Sequence, residues 1–395
     1  MKIRILHIFP TNFKYRFGGQ IIWWKNTLEH WNSPEICHKV LDFEKNRIAD
    51  AKEILKFSYS GYQNEKTRWE RAKWILLLFK YLNQYRKQYD ILHVHVLWWG
   101  GLLIGPWAKW KNIPALYESV LLDSDTPGGI HNEKFGGLKI RCLKNFKAIL
   151  TISQYLEEDY RKFGFSKKQT FTLMNCVDME LFSPSNSAEK KKLLRHKLKL
   201  PQNATILVFV GSVKERKGVD VLIRAFIGAC SERSDLYMLI VGPKNKNENP
   251  SIDEDFVNDL YLLLNKNNIS ERVSFTGMIQ DRQKLAEMYR ASDIFVFPSN
   301  KEGLGNVVLE AMASELPVVV TQLPVLENII RHGENGLFVP IGDVDAVKDS
   351  ILTLSNDPSL SKKLGLAAKN YVREEHSFII WQSQLVKLYR GLIPH

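Results

Sequence analysis

The sequence predicts an α/β protein of two doubly wound domains facing each other across a cleft. Three observations lead there. Short, continuously apolar runs alternate with helix-length amphipathic segments along almost all 395 residues, a pattern of parallel sheets covered on both faces. The alternation falls into two series of similar length. Between them, around 175–200, lies a Ser/Pro/Asn cluster followed by a short basic helix, NCVDMELFSPSNSAEKKKLLRHKLKL. At roughly 150 residues per domain, the length accommodates two or three cores.

In the first series, Ile3–Phe9, Ile91–Val96, Ala115–Glu118 and Ala148–Ile152 read as buried strands. Trp69–Tyr85, Gly101–Lys111 and Ser153–Phe163 read as helices between them. The second series has strands at Thr205–Gly211, Leu236–Gly242, Val273–Thr276, Asp293–Pro298 and Pro317–Thr321, with helical patterns at 217–230, 281–290 and 305–315. The expected domains are 1–180 and 181–375, with a terminal helix in 376–395 packing back across the first.

Composition narrows the class. With 45% hydrophobic and 25% charged residues, the chain is neither disordered, collagen-like nor a disulfide scaffold. No apolar run reaches the ~18 residues of a membrane span, and the N-terminus shows no cleavage site of a secretory signal. The four cysteines, at 37, 142, 176 and 230, form no C-x-x-C pair and read as free thiols of a reducing cytoplasm. Residues 1–200 hold 34 basic and 19 acidic side chains, whereas 201–395 hold 21 and 24. A basic half beside a near-neutral half suggests an anionic surface or substrate facing the first domain, with nucleic acid and anionic lipid both candidates.

In doubly wound sheets, ligands sit off the carboxyl ends of the strands, so the loops there carry the argument. The first strand runs into FPTNFKYRFGGQ, where Gly18 and Gly19 either bring backbone N–H groups to a phosphate or form a flexible turn. Neither G-x-G-x-x-G nor a P-loop is present. In ILVFVGSVKERKGVDVLIRAF, the loop after the strand holds Ser212, Lys214, Arg216 and Lys217, placing cations where an anion would lie. In SDIFVFPSNKEGLGNVVLEAMASELPVVVT, Gly303 and Gly305 make a tight entry to an apolar helix carrying a single acid, Glu310, with Glu302 in the loop before it. A carboxylate in an apolar wall costs several kcal/mol unless it meets a polar partner. Two carboxylates flanking a helix N-terminus, one at its mouth and one along its wall, describe a pocket for a nucleotide-sugar.

The spacing E-G-x-G-x-x-x-x-E after a P-S turn, with K-G about 90 residues upstream, resembles the retaining glycosyltransferases of family 4, which have the GT-B fold of two Rossmann-like domains. Gly18-Gly19, ILTISQYLEEDYRKFG, NCVDMELFSP and ENGLFVPIGD match in order, so the resemblance covers nearly the whole chain. It implies that Glu310 binds the ribose hydroxyls, Glu302 the donor-sugar hydroxyls and Lys217 the diphosphate; where the family often has Arg this chain has Ser212, so either Lys214 or Arg216 compensates or one diphosphate contact is missing. Gly19 and the stretch Leu304, Gly305, Asn306 and Val307 would supply backbone donors. A front-face displacement without metal or other cofactor is implied, the nucleotide-sugar being a substrate. The Asp-x-Asp spacings, at 123–125, 253–255 and 343–345, lie outside the matched motifs.

Three departures stand out: Ser212 itself, Glu315-Leu316-Pro317 at a helix exit that usually reads G-x-P, and Tyr117-Glu118 ending a strand that often ends in histidine. Glu118 is accordingly expected as a catalytic residue and a sugar or acceptor contact. His93 and His95 share one face of their strand; His93 reads as a core residue and His95 as a contact to acceptor or donor. Two histidines without a third ligand do not define a metal site. Met174 and Asn175 read as hinge packing.

Nine of the ten tryptophans precede residue 111, and TRWERAKWILLLFKYLNQYRK combines them with basic residues. This suits docking on an anionic leaflet to reach a polyprenyl-diphosphate-linked or other glycan acceptor. The expectation is therefore a hexosyltransferase, with a UDP-sugar as first donor candidate, in bacterial surface-polysaccharide or lipopolysaccharide synthesis, cytoplasmic and peripheral on the inner membrane face. A nucleotide-sugar 2-epimerase and a nonenzymatic nucleotide-sugar sensor are the alternatives. Nucleic acid is disfavoured, because the basic half lacks a helix-turn-helix, zinc or RNP signature.

Overall fold

The computed structural model describes residues 2–9, 23–24, 27–42, 47–50, 68–95, 98–120, 125–303 and 305–393. The chain divides into two compact units, one of residues 1–174 with 381–395 and the other of 175–380.

In chain order the first unit contains β1 (Ile3–Ile8), β2 (Ile36–Asp42), β3 (Arg47–Asp50), α1 (Arg68–Gln84), β4 (Ile91–His95), α2 (Trp99–Trp110), β5 (Ala115–Ser119), α3 (Pro127–Ile130), α4 (Gly136–Leu143), β6 (Ala148–Thr151), α5 (Gln154–Lys162) and β7 (Thr170–Thr172). Its sheet runs β3-β2-β1-β4-β5-β6-β7, parallel throughout except for β3, which pairs antiparallel with β2 at the edge. All five residues of β4 and all five of β5 are buried, as strands covered on both faces must be. The helix over 68–84 buries Leu78, Tyr81 and Leu82, so much of the aromatic-rich segment expected at a membrane builds the core.

The second unit continues with α6 (Ala188–Lys197), β8 (Thr205–Val210), α7 (Val219–Glu232), β9 (Leu236–Val241), α8 (Glu254–Lys266), β10 (Val273–Phe275), α9 (Arg282–Ala291), β11 (Ile294–Phe297), α10 (Asn306–Ala313), β12 (Val318–Thr321), β13 (Leu337–Val339), α11 (Val344–Asn356) and α12 (Pro358–Glu375). Its six strands are parallel in the order β10-β9-β8-β11-β12-β13. A last helix, α13 (Phe378–Leu392), contributes its residues from Trp381 onward to the first unit. Two doubly wound α/β units are thus present, as the alternation of strands and helices requires.

Chain order reverses between β1 and β4 in the first sheet and between β8 and β11 in the second. At such switch points the flanking connections leave in opposite directions and open a crevice at the carboxyl ends. The strands β2, β3 and β7 carry too many polar residues to show as apolar runs. His38, Lys39 and Asp42 interrupt β2, although it pairs with β1 over five residues.

Candidate functional site

Loops from β8 and β11 converge at the switch point of the second unit. After β8 the chain passes Ser212 and Lys214, makes a helical turn over Glu215–Lys217 and enters α7 through Gly218. Gly218 has φ +65°, and a Cβ there would lie 1.9 Å from the carbonyl oxygen of Pro298. Only glycine permits this approach, which brings the cationic loop against the one leaving β11. The Asn300 N–H donates to the Arg216 carbonyl at 2.9 Å, tying the two loops together.

That junction sets Lys217 on Glu302. Lys217 Nζ donates to Glu302 Oε1 at 2.5 Å, and Ser299 Oγ donates to the same oxygen at 2.6 Å. Lys217 also stands 5.0 Å from the ring centroid of Phe297. Burial pushes its pKa below the usual lysine range, opposed by the Glu302 charge. Arg216 is nearly half exposed and donates to the Lys301 carbonyl, with its guanidinium 3.9 Å from Glu302. Lys214 turns to Ser251 Oγ at 2.5 Å. Of the three cations in the loop, Lys217 is the one fixed on the carboxylate at the mouth of α10.

Gly305, at φ +80°, caps the start of α10. Asn175 Nδ2 donates to Asn306 Oδ1 at 2.8 Å, so a residue read from sequence as hinge packing secures the first turn of this helix. The N–H groups of Asn306 and Val307 belong to that turn and precede the internal ladder, which suits them to an anion. One turn further, the Tyr289 hydroxyl donates to Glu310 Oε2 at 3.0 Å. Loss of water pushes the Glu310 carboxyl up to about 7, moderated by the nearby Arg282 charge and the Tyr289 bond. Tyr289, on α9, was not legible as a site residue: it looks like one more aromatic of an amphipathic helix. Gly303 lies in the entry loop, while Gly18, Gly19 and Leu304 fall outside the described residues.

The first unit places Glu118 and His95 in one buried cluster. Register pairs His7 with His93 and His95 with Glu118, so β1, β4 and β5 direct these side chains to one face. Trp24 Nε1 donates to Glu118 Oε2 at 2.7 Å and His95 Nδ1 bonds the same oxygen. His93 Nδ1 meets the Tyr389 hydroxyl at 2.8 Å, and its Nε2 lies 3.7 Å from Glu118. Trp24, Trp31 and Trp381 roof the group. Glu118 is 2% exposed and His95 fully buried, each held by partners within the unit. His7 and His38 were missed because each is a lone histidine in its own strand; only the pairing of strands assembles them.

Two doubly wound units give the architecture of the GT-B fold, and Lys217, Glu302 and Glu310 stand at the switch point of the second. Residues 190–371 match the family described as glycosyl transferases group 1, a span that includes all three side chains. The chain is similar to the capsular polysaccharide biosynthesis glycosyltransferase CapM of Staphylococcus aureus, 29% identical over 284 residues, covering 65% of this chain and 69% of that protein. It is 24% identical over 366 residues to D-inositol 3-phosphate glycosyltransferase of Corynebacterium glutamicum, covering 88% and 84%. The crystal structure of Anabaena HepE in complex with UDP and glucose shares the fold, with a TM-score of 0.74 at 18% identity over 98% of this chain and 99% of that one. Together these findings support a group 1 glycosyltransferase.

Proposed function

We propose that this protein is a retaining hexosyltransferase that moves a sugar from a nucleotide-diphosphate donor, a UDP-sugar first among candidates, to a glycan or lipid-linked acceptor of a cell-surface polysaccharide. The observation that carries this reading is the Lys217–Glu302 pair at the mouth of α10 with Glu310 one turn inside. The first turn of α10 and Lys217 receive the diphosphate, Glu302 accepts from donor-sugar hydroxyls, and Glu310 accepts from the ribose. Ser212 and Arg216 line the approach. Binding the diphosphate draws Lys217 toward it and frees Glu302 Oε1 for the sugar.

In the proposed step the anomeric carbon–oxygen bond to the diphosphate breaks as the acceptor oxygen bonds that carbon on the same face. The acceptor proton passes to the leaving diphosphate oxygen. Lys217 and the helix N-terminus stabilise the charge developing there, so the reading requires no divalent ion; transfer should persist in excess EDTA. The likeness to CapM favours a capsule-type product, and HepE, solved with UDP and glucose, favours UDP.

Among the described residues, no helix is long and apolar enough to cross a membrane. A peripheral role at the inner face of the plasma membrane is supported by a surface on α2 and α4. Trp110 is 73% exposed with Lys111 Nζ 3.9 Å from its ring centroid, and exposed Trp99, Leu103 and Leu138 lie on the same two helices. Sedimentation with anionic vesicles that falls for Trp110→Ala would support docking there, and sedimentation indifferent to lipid charge would refute it. The donor reading is tested by thermal shift with UDP, GDP, ADP and CMP on wild type and Glu310→Ala. Ligand at 100 times its dissociation constant stabilises by about 2.7 kcal/mol. One nucleotide should stabilise wild type and fail on the variant; equal stabilisation of both would move the site elsewhere.

A further inference from the structure

The buried cluster of the first unit contains a continuous chain of imidazoles. His38 Nδ1 lies 2.7 Å from His7 Nε2, His7 Nδ1 lies 2.9 Å from His95 Nε2, and His95 Nδ1 bonds Glu118 Oε2. The chain runs diagonally over three neighbouring strands to a fourth: His38 is in register with Ile5 of β1, His7 with His93 of β4, and His95 with Glu118 of β5. His7, His38, His95 and Glu118 are all buried.

The nitrogens of His7, His93 and His95 lie within 4.8 Å of one another, close enough to raise a metal site. Ring geometry decides against a shared ion. The His7 and His95 planes are 11° apart with centroids 5.1 Å apart, which is the 2.9 Å N···N distance extended by two ring radii. Their facing nitrogens therefore point along one line, and a zinc on that line needs about 4 Å between them. The His7–His38 pair, with 5.0 Å between centroids, repeats this geometry.

Hydrogen-bond polarity follows from the carboxylate. The Trp24 indole N–H can only donate, so Glu118 Oε2 is an acceptor; His95 donates to the same oxygen from Nδ1 and must accept at Nε2, and His7 then donates from Nδ1 and accepts at Nε2 from His38. Burial holds the pKa of His7 and His95 well below the usual histidine range, consistent with neutral rings. We propose that His95, His7 and His38 are positioning residues, a polarised chain of Nδ1–H imidazoles that keeps Glu118 ionised and fixed at the carboxyl end of β5. Trp24 adds a second donor to Glu118, and His93, accepting from Tyr389 at Nδ1, turns an Nε2–H toward the same carboxylate. The effect on transfer rests on the proposed function; the tautomers do not.

Long-range 15N–1H correlation on 15N-histidine-labelled protein reads the tautomers directly. His95, His7 and His38 should show Nδ1–H and His93 Nε2–H, unchanged between pH 6 and 8. An Nε2–H signal from any of the three, an imidazolium in that range, or one equivalent of bound metal per chain would overturn the proposal. His7→Phe cuts the chain without touching a Glu118 contact. It should give His95 mixed tautomers and lower kcat about tenfold at constant donor KM, whereas an unchanged His95 signal would overturn it. His95→Asn, whose side-chain N–H replaces Nδ1–H, should recover more activity than His95→Leu; equal loss would reduce His95 to packing. If His7→Phe does not fold, the wild-type spectrum still decides, and if no transfer is found, the spectra alone judge the chain.

Discussion

The two sheets reverse their strand order in the same way, yet the groups at their switch points meet opposite fates. Between β8 and β11 the loops bring up Arg216, 48% exposed, with Lys217 and Glu302 at 15% and 9%. Between β1 and β4 the polar groups are roofed by Trp24, Trp31 and Trp381, and His7 and His95 have no exposed surface. A doubly wound topology supplies a crevice; the residues decide whether it is left to a ligand or filled by the chain. Gly218 and Gly305 keep one crevice open by letting backbone turn tightly. Indole rings fill the other, so its polar groups turn to one another: His7, His95 and Glu118 are joined by hydrogen bonds, while His93 Nε2 stops 3.7 Å from Glu118.

The contrast is broken most severely by Glu118→Leu, which leaves the donors from Trp24 and His95 without an acceptor. It should lower stability by about 3–5 kcal/mol in denaturant unfolding. Lys217→Ala should do the reverse, reducing kcat roughly 10²-fold, about 3 kcal/mol of transition-state stabilisation, while the melting temperature barely moves. If Lys217→Ala unfolds the protein, or Glu118→Leu leaves it intact, the distinction between a filled and a ligand-directed switch point fails.

Acidity separates the two places by sign. Burial lowers the pKa of His7, His93 and His95, so the unfolded chain takes up protons first. Their stabilisation is complete above about pH 6.5 and should fall below it by about 1 kcal/mol per pH unit for each ring that stays neutral. Glu310 has its carboxyl raised to about 7, so the folded state holds that proton longer. Its contribution is greatest below about pH 4.5 and is lost as pH rises through 7. Chemical denaturation from pH 5 to 8, with Glu310→Gln to remove the second limb, resolves both. The smallest effect is expected of Tyr289→Phe, about 1 kcal/mol, seen as a several-fold weaker nucleotide Kd with the Glu310 titration moved further up.

Most of the candidate site in the second unit was legible because it is local. Lys217-Gly218 and the stretch from Glu302 to Glu310 are each contiguous, and strand–loop–helix order alone puts them at carboxyl ends. What was not legible came from residues joined by pairing. His38, His7, His95 and Glu118 sit on four strands, and β2 hides among polar residues. With β1 and β2 in register, the His-x-His of β4 becomes part of a chain of rings instead of an incomplete ligand set. The bond from Asn175, read as hinge packing, and the one from Tyr289 escaped for a related reason, since each reaches α10 from another element.

The first unit is completed by residues 381–395, whose Trp381 packs on Trp24 and whose Tyr389 bonds His93. On the ribosome these residues emerge only after the 175–380 stretch has been made. At ordinary synthesis rates that interval is about 10–40 s, during which the histidine cluster and its indoles wait without the C-terminal part of their cover. The nascent first half is thus the segment a chaperone would hold, and synthesis of residues 381–395, rather than completion of the first sheet, is what closes its core.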